Sequence, residues 1–247
     1  MSRGPDLAKP GARIESPESF QSAFGVSRET LERLKTYESV LRTWQRTINL
    51  VAPSTLDEVW HRHFADSAQL LPLALAARDA APAPESAQNP QKNPQKGEKH
   101  WLDLGSGGGF PGLVLAILIA ERDPAVRVTL VESDSRKAAF LGEVARKTGV
   151  AVEIRAERSE KYATQDKSQI REVITARALA PLPKLLGLVL PYFSPRTVAL
   201  FPKGRDVDSE IGEAQRMFGF DAELAPSMTD PDARVVIVRN LAVKTEG

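Results

Sequence analysis

Residues 101 to 112 read Trp-Leu-Asp-Leu-Gly-Ser-Gly-Gly-Gly-Phe-Pro-Gly, and this segment is built for chemistry. An apolar stretch carries one acid, Asp103, and then breaks into four glycines within five positions: Gly105, Gly107, Gly108 and Gly109. Glycine adopts backbone angles closed to other residues and lets the main chain approach a bound molecule. A strand, a glycine turn and a helix start together make a pocket for a nucleotide-bearing cofactor. The glycine turn alone is shared by dehydrogenases, flavoenzymes and methyltransferases. Asp103, two residues ahead of the first glycine, separates them. A carboxylate there would repel a pyrophosphate and suits the ammonium and sulfonium of S-adenosylmethionine, directly or through water. The other use of an aspartate at such a place is to cap the loop backbone.

Further candidates follow along the chain. Glu132 closes the apolar run Val128-Thr-Leu-Val131, where a carboxylate can accept hydrogen bonds from both ribose hydroxyls of a cofactor. Arg155-Ala156-Glu157 ends a third apolar run, where an adenine base would lie; Glu157 either holds the loop or is plain surface. Arg177 closes a fourth run, at the sheet edge where ligands bind in such folds.

Composition excludes other chemistry. There is no cysteine, so disulfides, thiolate metal sites and cysteine nucleophiles are ruled out. Of the three histidines, His61 and His63 are close in sequence but lack the i,i+4 spacing of a helical zinc site, and no metal is expected. A net charge of +1 leaves any RNA contact to a local patch. No apolar stretch is long enough to span a membrane, and residues 1–6 lack the apolar core of a signal peptide, which favours the cytosol.

These groups need elements to position them. Residues 1–80 are expected to form a helical N-terminal cap. Ser16-Pro17 opens one helix and Ser27 a second, with Leu31, Leu34, Tyr37, Val40, Leu41, Trp44 and Ile48 at helical spacing. Ser54-Thr-Leu-Asp57 resembles a capping box for a third helix through Val59, Trp60 and Phe64, and Leu70, Leu71 and Leu73 mark a fourth. Residues 81–99, rich in proline, asparagine and lysine, cannot bury an apolar face and are read as a linker. From residue 100 to 247 the pattern alternates. Strands are expected at 101–104, 127–132, 151–155, 172–176 and 197–202, with a late hairpin at 222–225 and 234–240. Such alternation predicts a doubly wound α/β domain.

These residues resemble one family closely: the bacterial small-subunit ribosomal RNA guanine-N(7) methyltransferases, RsmG or GidB. The resemblance covers most of residues 27 to 205. It rests on Asn49-Leu-Val-Ala, His61-Arg-His-Phe-Ala-Asp-Ser67, Asp103 to Gly112, Val131 to Leu141, Arg155-Ala-Glu157, Ala176-Arg-Ala-Leu-Ala-Pro181 and Lys203-Gly204. Gly-Phe-Pro-Gly is far more specific than glycine richness alone. The chain departs from the family in its linker and in extra residues around Lys161–Arg171.

The resemblance implies a Rossmann-like S-adenosylmethionine-dependent methyltransferase fold. It implies cofactor contacts at Gly105, Phe110, Glu132, Ala156, Glu157 and Arg177, with Asp103 and Gly107 added by the reading of the turn. It also implies, as substrate, a guanine of the 530 loop of 16S rRNA in the 30S subunit, methylated at ring nitrogen 7. That nitrogen carries a free lone pair, so no catalytic base is expected and the enzyme works by alignment. Arg177, Lys203 and Arg205 are the candidates for the substrate pocket, with Arg42, Arg46, Arg62, His61 and His63 as possible RNA contacts on the cap. Trp44 and Trp60 fall on apolar stripes and are expected in the core. A monomer is the expectation. The rival readings are a methyltransferase for a small molecule or protein, and a non-catalytic nucleotide-binding module.

Overall fold

Successive strand residues point to opposite sides of a sheet, so apolar runs buried on both faces build two core layers at once. In the computed structural model, which describes residues 13–80, 99–165 and 171–244, the strands are β1 Lys99–Leu104, β2 Val126–Val131, β3 Glu153–Arg155, β4 Val173–Ala176, β5 Val198–Lys203, β6 Phe218–Pro226 and β7 Arg234–Val243. They form one sheet in the order β3-β2-β1-β4-β5-β7-β6. Strands β1 to β5 pair in parallel; β7 runs antiparallel to β5 and to β6. Trp101, Val128, Val173 and Val198 enter one apolar layer, and Leu102, Leu104, Ile174 and Ala199 enter the other. Strand order reverses between β1 and β4, which opens a crevice beyond their carboxyl ends.

The strands lie where the alternation predicts them, with shifted ends. The hairpin is the larger departure, because Phe218 and Gly219 extend its pairing to Val243 and Ala242.

The helices are α1 Pro17–Phe24, α2 Arg28–Trp44, α3 Asp66–Ala68, α4 Leu70–Asp79, α5 Gly112–Arg122, α6 Ser135–Thr148, α7 Ser159–Gln165, α8 Leu182–Val189 and α9 Val207–Ala214. Ser16 caps α1 in a reciprocal box with Ser19, and the Ser27 hydroxyl accepts the Thr30 N–H at 3.1 Å. Helix α2 lays Leu34, Tyr37 and Leu41 onto α5 and α6. Helix α5 is therefore sandwiched between the sheet and the N-terminal helices. Leu113 through Ile119 are buried on every side, which is why that segment is uniformly apolar rather than striped. The N-terminal helices share one core with this face of the sheet. The linker expected at 81–99 lies outside the described residues, except for Lys99, which begins β1. Of the extra residues around 161–171, those to 165 belong to α7.

Two local expectations fail. Ser54 caps no helix: Pro53–Thr55 forms a tight 3-10 turn instead, and the Thr55 hydroxyl is taken up by Ala52 O, at 2.8 Å, and by His63. The helical segment beyond it runs through a wide π turn at Trp60–Ala65, a distortion often found at functional sites. Ile48 lies past the end of α2, where the N–H groups of Thr47 and Ile48 both donate to Trp44 O.

Candidate cofactor and acceptor site

The chain turns as soon as β1 ends. The N–H groups of Gly105 and Ser106 both donate to Val131 O of β2, at 2.9 and 3.1 Å. The Gly107 N–H donates to Glu132 Oε2 at 2.7 Å, and Glu132 Oε1 accepts the Asp134 N–H at 2.8 Å. Glu132 thus clamps the turn to the end of β2. Gly107 has φ +54°, with only Gly105 O within 4 Å of where a Cβ would stand, so its backbone angle alone calls for glycine. At Gly112 the demand is close approach, since a Cβ would come within 2.5 Å of Asp103 Cβ. From α2, the Tyr37 hydroxyl donates to the Gly108 carbonyl, and its ring stacks on Phe110 at 5.2 Å. Burial pushes the Tyr37 pKa well above the usual phenol range, so this hydroxyl is a fixed donor.

Asp103 sits beneath the turn rather than on the wall of the cleft. It is 1% exposed. The β1–β4 register sets it opposite Thr175, whose hydroxyl donates to Oδ1 at 2.7 Å. Oδ2 faces Gly112 and has no hydrogen-bond partner. Burial pushes the Asp103 pKa up to about 6, against the opposing pull of the Thr175 hydrogen bond. Of the two uses expected of this aspartate, contact with a cofactor directly or through water and support of the loop, the register places it for the second. The carboxylate is spent inside the fold, where it sets the turn that a cofactor would meet.

Three adjoining cavities follow the carboxyl ends of the parallel strands. The central one, about 340 Å³, is walled by the glycine turn, Phe110, Glu132, Lys137 and Arg177. Toward β3 it meets a space of about 240 Å³ beside Arg158, Ser159 and Lys184, with Gly105, Ser133 and Leu179 on both walls. Toward β5 and β7 it meets the largest, about 520 Å³, within the size range of ligand pockets. Leu50, Arg177 and Ala178 belong to both of these walls. Ala178 holds φ +54°, a left-handed angle rare for a residue with a side chain and a recurrent feature of ligand sites.

Arg177 is held at this junction on every side. Its Nη1 donates to Asp66 Oδ2 at 2.9 Å and to Arg62 O at 3.2 Å. Its Nη2 lies 3.0 Å from His63 Nδ1, and the guanidinium stands over the Phe110 ring at 5.4 Å. A guanidinium can only donate, so Nδ1 is the acceptor and the His63 proton sits on Nε2. That nitrogen donates to Thr55 Oγ1 at 2.7 Å. Burial, reinforced by the Arg177 and Arg62 charges, holds the His63 pKa down to about 3. Asp66 Oδ1 accepts from Gln69 Nε2 at 2.9 Å and from the Thr229 hydroxyl at 2.8 Å, which fastens the β6–β7 turn to the N-terminal helices.

The remaining candidates divide. Ala156 and Glu157 follow β3 but stand beside the cavity walls, with Glu157 3.7 Å from Lys161; the next residues, Arg158 to Glu160, line the space. Lys203 does reach the large cavity, but its ammonium is paired with Glu210 and donates to Ala180 O, each at 2.8 Å. It is thus neutralised within the fold, unlike the free phosphate ligand expected. Arg205 stands outside that wall, highly exposed and 3.3 Å from Asp232. On the N-terminal helices, Arg42 is bound by Glu38 and Leu56 O. His61 accepts from the Ile14 N–H and contacts Thr229 O. Arg46 is exposed. Trp60 stacks on Phe64 in the core, and the half-buried Trp44 packs against Phe140 at its margin.

Sequence reasoning missed the roles of Tyr37, Thr175, Asp66 and Thr229. Tyr37 stood out only as one more apolar position on a stripe, and the other three act across distances that no local pattern records. Among the described residues no cluster of three acids or histidines is placed to hold a metal, and no helix is long and apolar enough to cross a membrane.

Among solved structures, the chain is similar to the ribosomal protein L11 methylase from Lactobacillus delbrueckii subsp. bulgaricus, with a TM-score of 0.47 and 15% identity over 72% of this chain and 80% of that one. Sequence comparison reaches further. Residues 86–234 match the family described as GidB, rRNA small subunit methyltransferase G. The chain is 46% identical to the ribosomal RNA small subunit methyltransferase G of Parvibaculum lavamentivorans, over 94% of this chain and 92% of that protein. It is likewise 46% identical to the protein of the same name from Rhodospirillum centenum, over 90% of each. With the family match spanning more than half of the chain and these relatives nearly all of it, the chain belongs to the rRNA small subunit methyltransferase G family.

Proposed function

We propose that this chain transfers a methyl group from S-adenosylmethionine to ring nitrogen 7 of a guanine in the 530 loop of 16S rRNA, acting in the cytosol as a monomer. The observation that carries the choice of atom is the lack of a spare base in the large cavity. His63 has one ring nitrogen accepting from Arg177 and the other donating to Thr55. Asp66 is bound by Arg177, Gln69 and Thr229, and Asp230 is 3.5 Å from Arg62. Among the described residues on that wall, each of these groups is already engaged by a cation or a hydrogen-bond partner. An exocyclic amine or a hydroxyl would have to lose a proton; N7 presents a lone pair and loses nothing.

The cradle fits S-adenosylmethionine. Gly107 leaves open the space a Cβ would fill, while at Gly105 Leu179 already stands within 2.6 Å of that point; Glu132 stands at the end of β2, and Lys137 offers a cation for a carboxylate. Gly105, Gly107, Phe110, Glu132 and Arg177 would hold the cofactor, with Asp103 acting from beneath the turn and Ala156 and Glu157 flanking the adenine end. Bound there, the cofactor supplies an electrophilic methyl group on a sulfonium. Arg177, at the junction of the two cavities and over the Phe110 ring of the central wall, orients the base toward it. Alignment of this kind is worth roughly 7–11 kcal/mol of a barrier.

The test is methyl transfer to 30S subunits and to free 16S rRNA from a strain lacking the enzyme, with the modified base mapped. Label at N7 of the 530-loop guanine is expected. Label on another base, or on an exocyclic amine, refutes the assignment.

A further inference from the structure

Four cations line the large cavity: Arg62, Arg177, Lys203 and Arg234. Three of them already hold a carboxylate: Asp230 at 3.5 Å, Asp66 at 2.9 Å and Glu210 at 2.8 Å, respectively. Arg234 pairs with none among the described residues. Its Nη1 donates to two backbone carbonyls, Pro231 O at 2.7 Å and Ala233 O at 2.8 Å. Those bonds fix the guanidinium without cancelling its charge, and they leave the Nε–Nη2 edge for a ligand.

The turn that carries Arg234 is anchored as well. Besides the Thr229–Asp66 bond, the Met228 N–H donates to Gln69 Oε1 at 2.7 Å, and His61 Nε2 lies 3.0 Å from Thr229 O. An immobilised guanidinium pays little further side-chain entropy on binding, and its planar fork matches two oxygens of a phosphate. Lys203, by contrast, would have to give up Glu210 first.

We infer that Arg234 binds a phosphate flanking the target base. The RNA backbone then passes the β6–β7 turn rather than the Lys203–Arg205 side of the cavity. This assignment rests on the RNA reading above and adds a residue to it.

The test uses the full chain, with binding of a 16S rRNA fragment containing the 530 loop followed as a function of KCl concentration. Arg234→Gln is expected to weaken RNA binding roughly tenfold, as for loss of one charge-assisted hydrogen bond. It should also make the slope of log K against log salt shallower by about 0.7–0.9, as for one phosphate contact. Cofactor affinity and the thermal midpoint should stay at wild-type values. An unchanged slope and unchanged affinity in Arg234→Gln overturn the inference while leaving the RNA reading intact. A wild-type chain with no salt-dependent RNA binding overturns both. Should loss of the two carbonyl contacts unfold the turn, Arg234→Lys decides. It keeps the charge and loses the fork, so the slope stays and affinity falls; wild-type affinity in that variant also overturns the inference.

Discussion

Asp103 carries a buried charge that the fold opposes, and Asp103→Asn should reveal its cost. The folded carboxyl titrates at about 6, against an ordinary 3.8. At ~1.4 kcal/mol per pH unit, that interval is worth ~3 kcal/mol. Because the folded protein holds the proton more tightly than the unfolded chain, this group's contribution is most favourable below about pH 4. It declines as pH rises through about 6 and is constant above. Asparagine keeps an oxygen for the Thr175 hydroxyl and places no charge in the core. The stability of the variant relative to wild type should therefore rise by ~2.4 kcal/mol between pH 4 and pH 7, most of that interval. Urea unfolding at half-unit pH steps measures this, and the difference between the two proteins removes every other titrating group. A difference that stays flat across that window would show that the carboxylate is not penalised by burial. Calorimetry on the same variant should find cofactor affinity reduced less than by a change in the turn itself, because Asp103 lies beneath the wall.

Three further outcomes are expected. Gly107→Val should abolish cofactor binding, since valine strongly disfavours φ +54° and its side chain would enter the space in front of the turn; undiminished affinity would mean the turn is not the cradle. Tyr37→Phe should cost ~1–3 kcal/mol in unfolding free energy by leaving the buried Gly108 carbonyl without its donor, with a weaker cofactor complex as a second readout. The His63 ring, held down to about 3, should show no change of protonation by NMR between pH 8 and about pH 4. Stability from its neutral form is present above the usual imidazole range and declines as pH falls toward 3, opposite in sense to Asp103. A His63 titration near 6.5 would contradict the bond it accepts from Arg177.

Much of this protein is legible residue by residue. The glycine turn is a local demand for backbone angles, and the strand positions are a local periodicity. Those features narrow the cofactor class, and the motifs around them point to the family. What the turn, the acids and the bases do to one another is not local. Asp103 meets Thr175 at a separation of 72 residues, and Arg177 meets Asp66 across 111. Glu210 silences Lys203, while nothing among the described residues silences Arg234. These pairings depend on strand register and on how the N-terminal helices and the β6–β7 turn close over the sheet. A charge that reads as a free ligand in the sequence becomes a structural ion pair, or stays available, only when the chain is packed. Backbone geometry and apolar patterning are written in neighbouring residues; the state of each charged group is decided by partners that only the tertiary structure brings within reach.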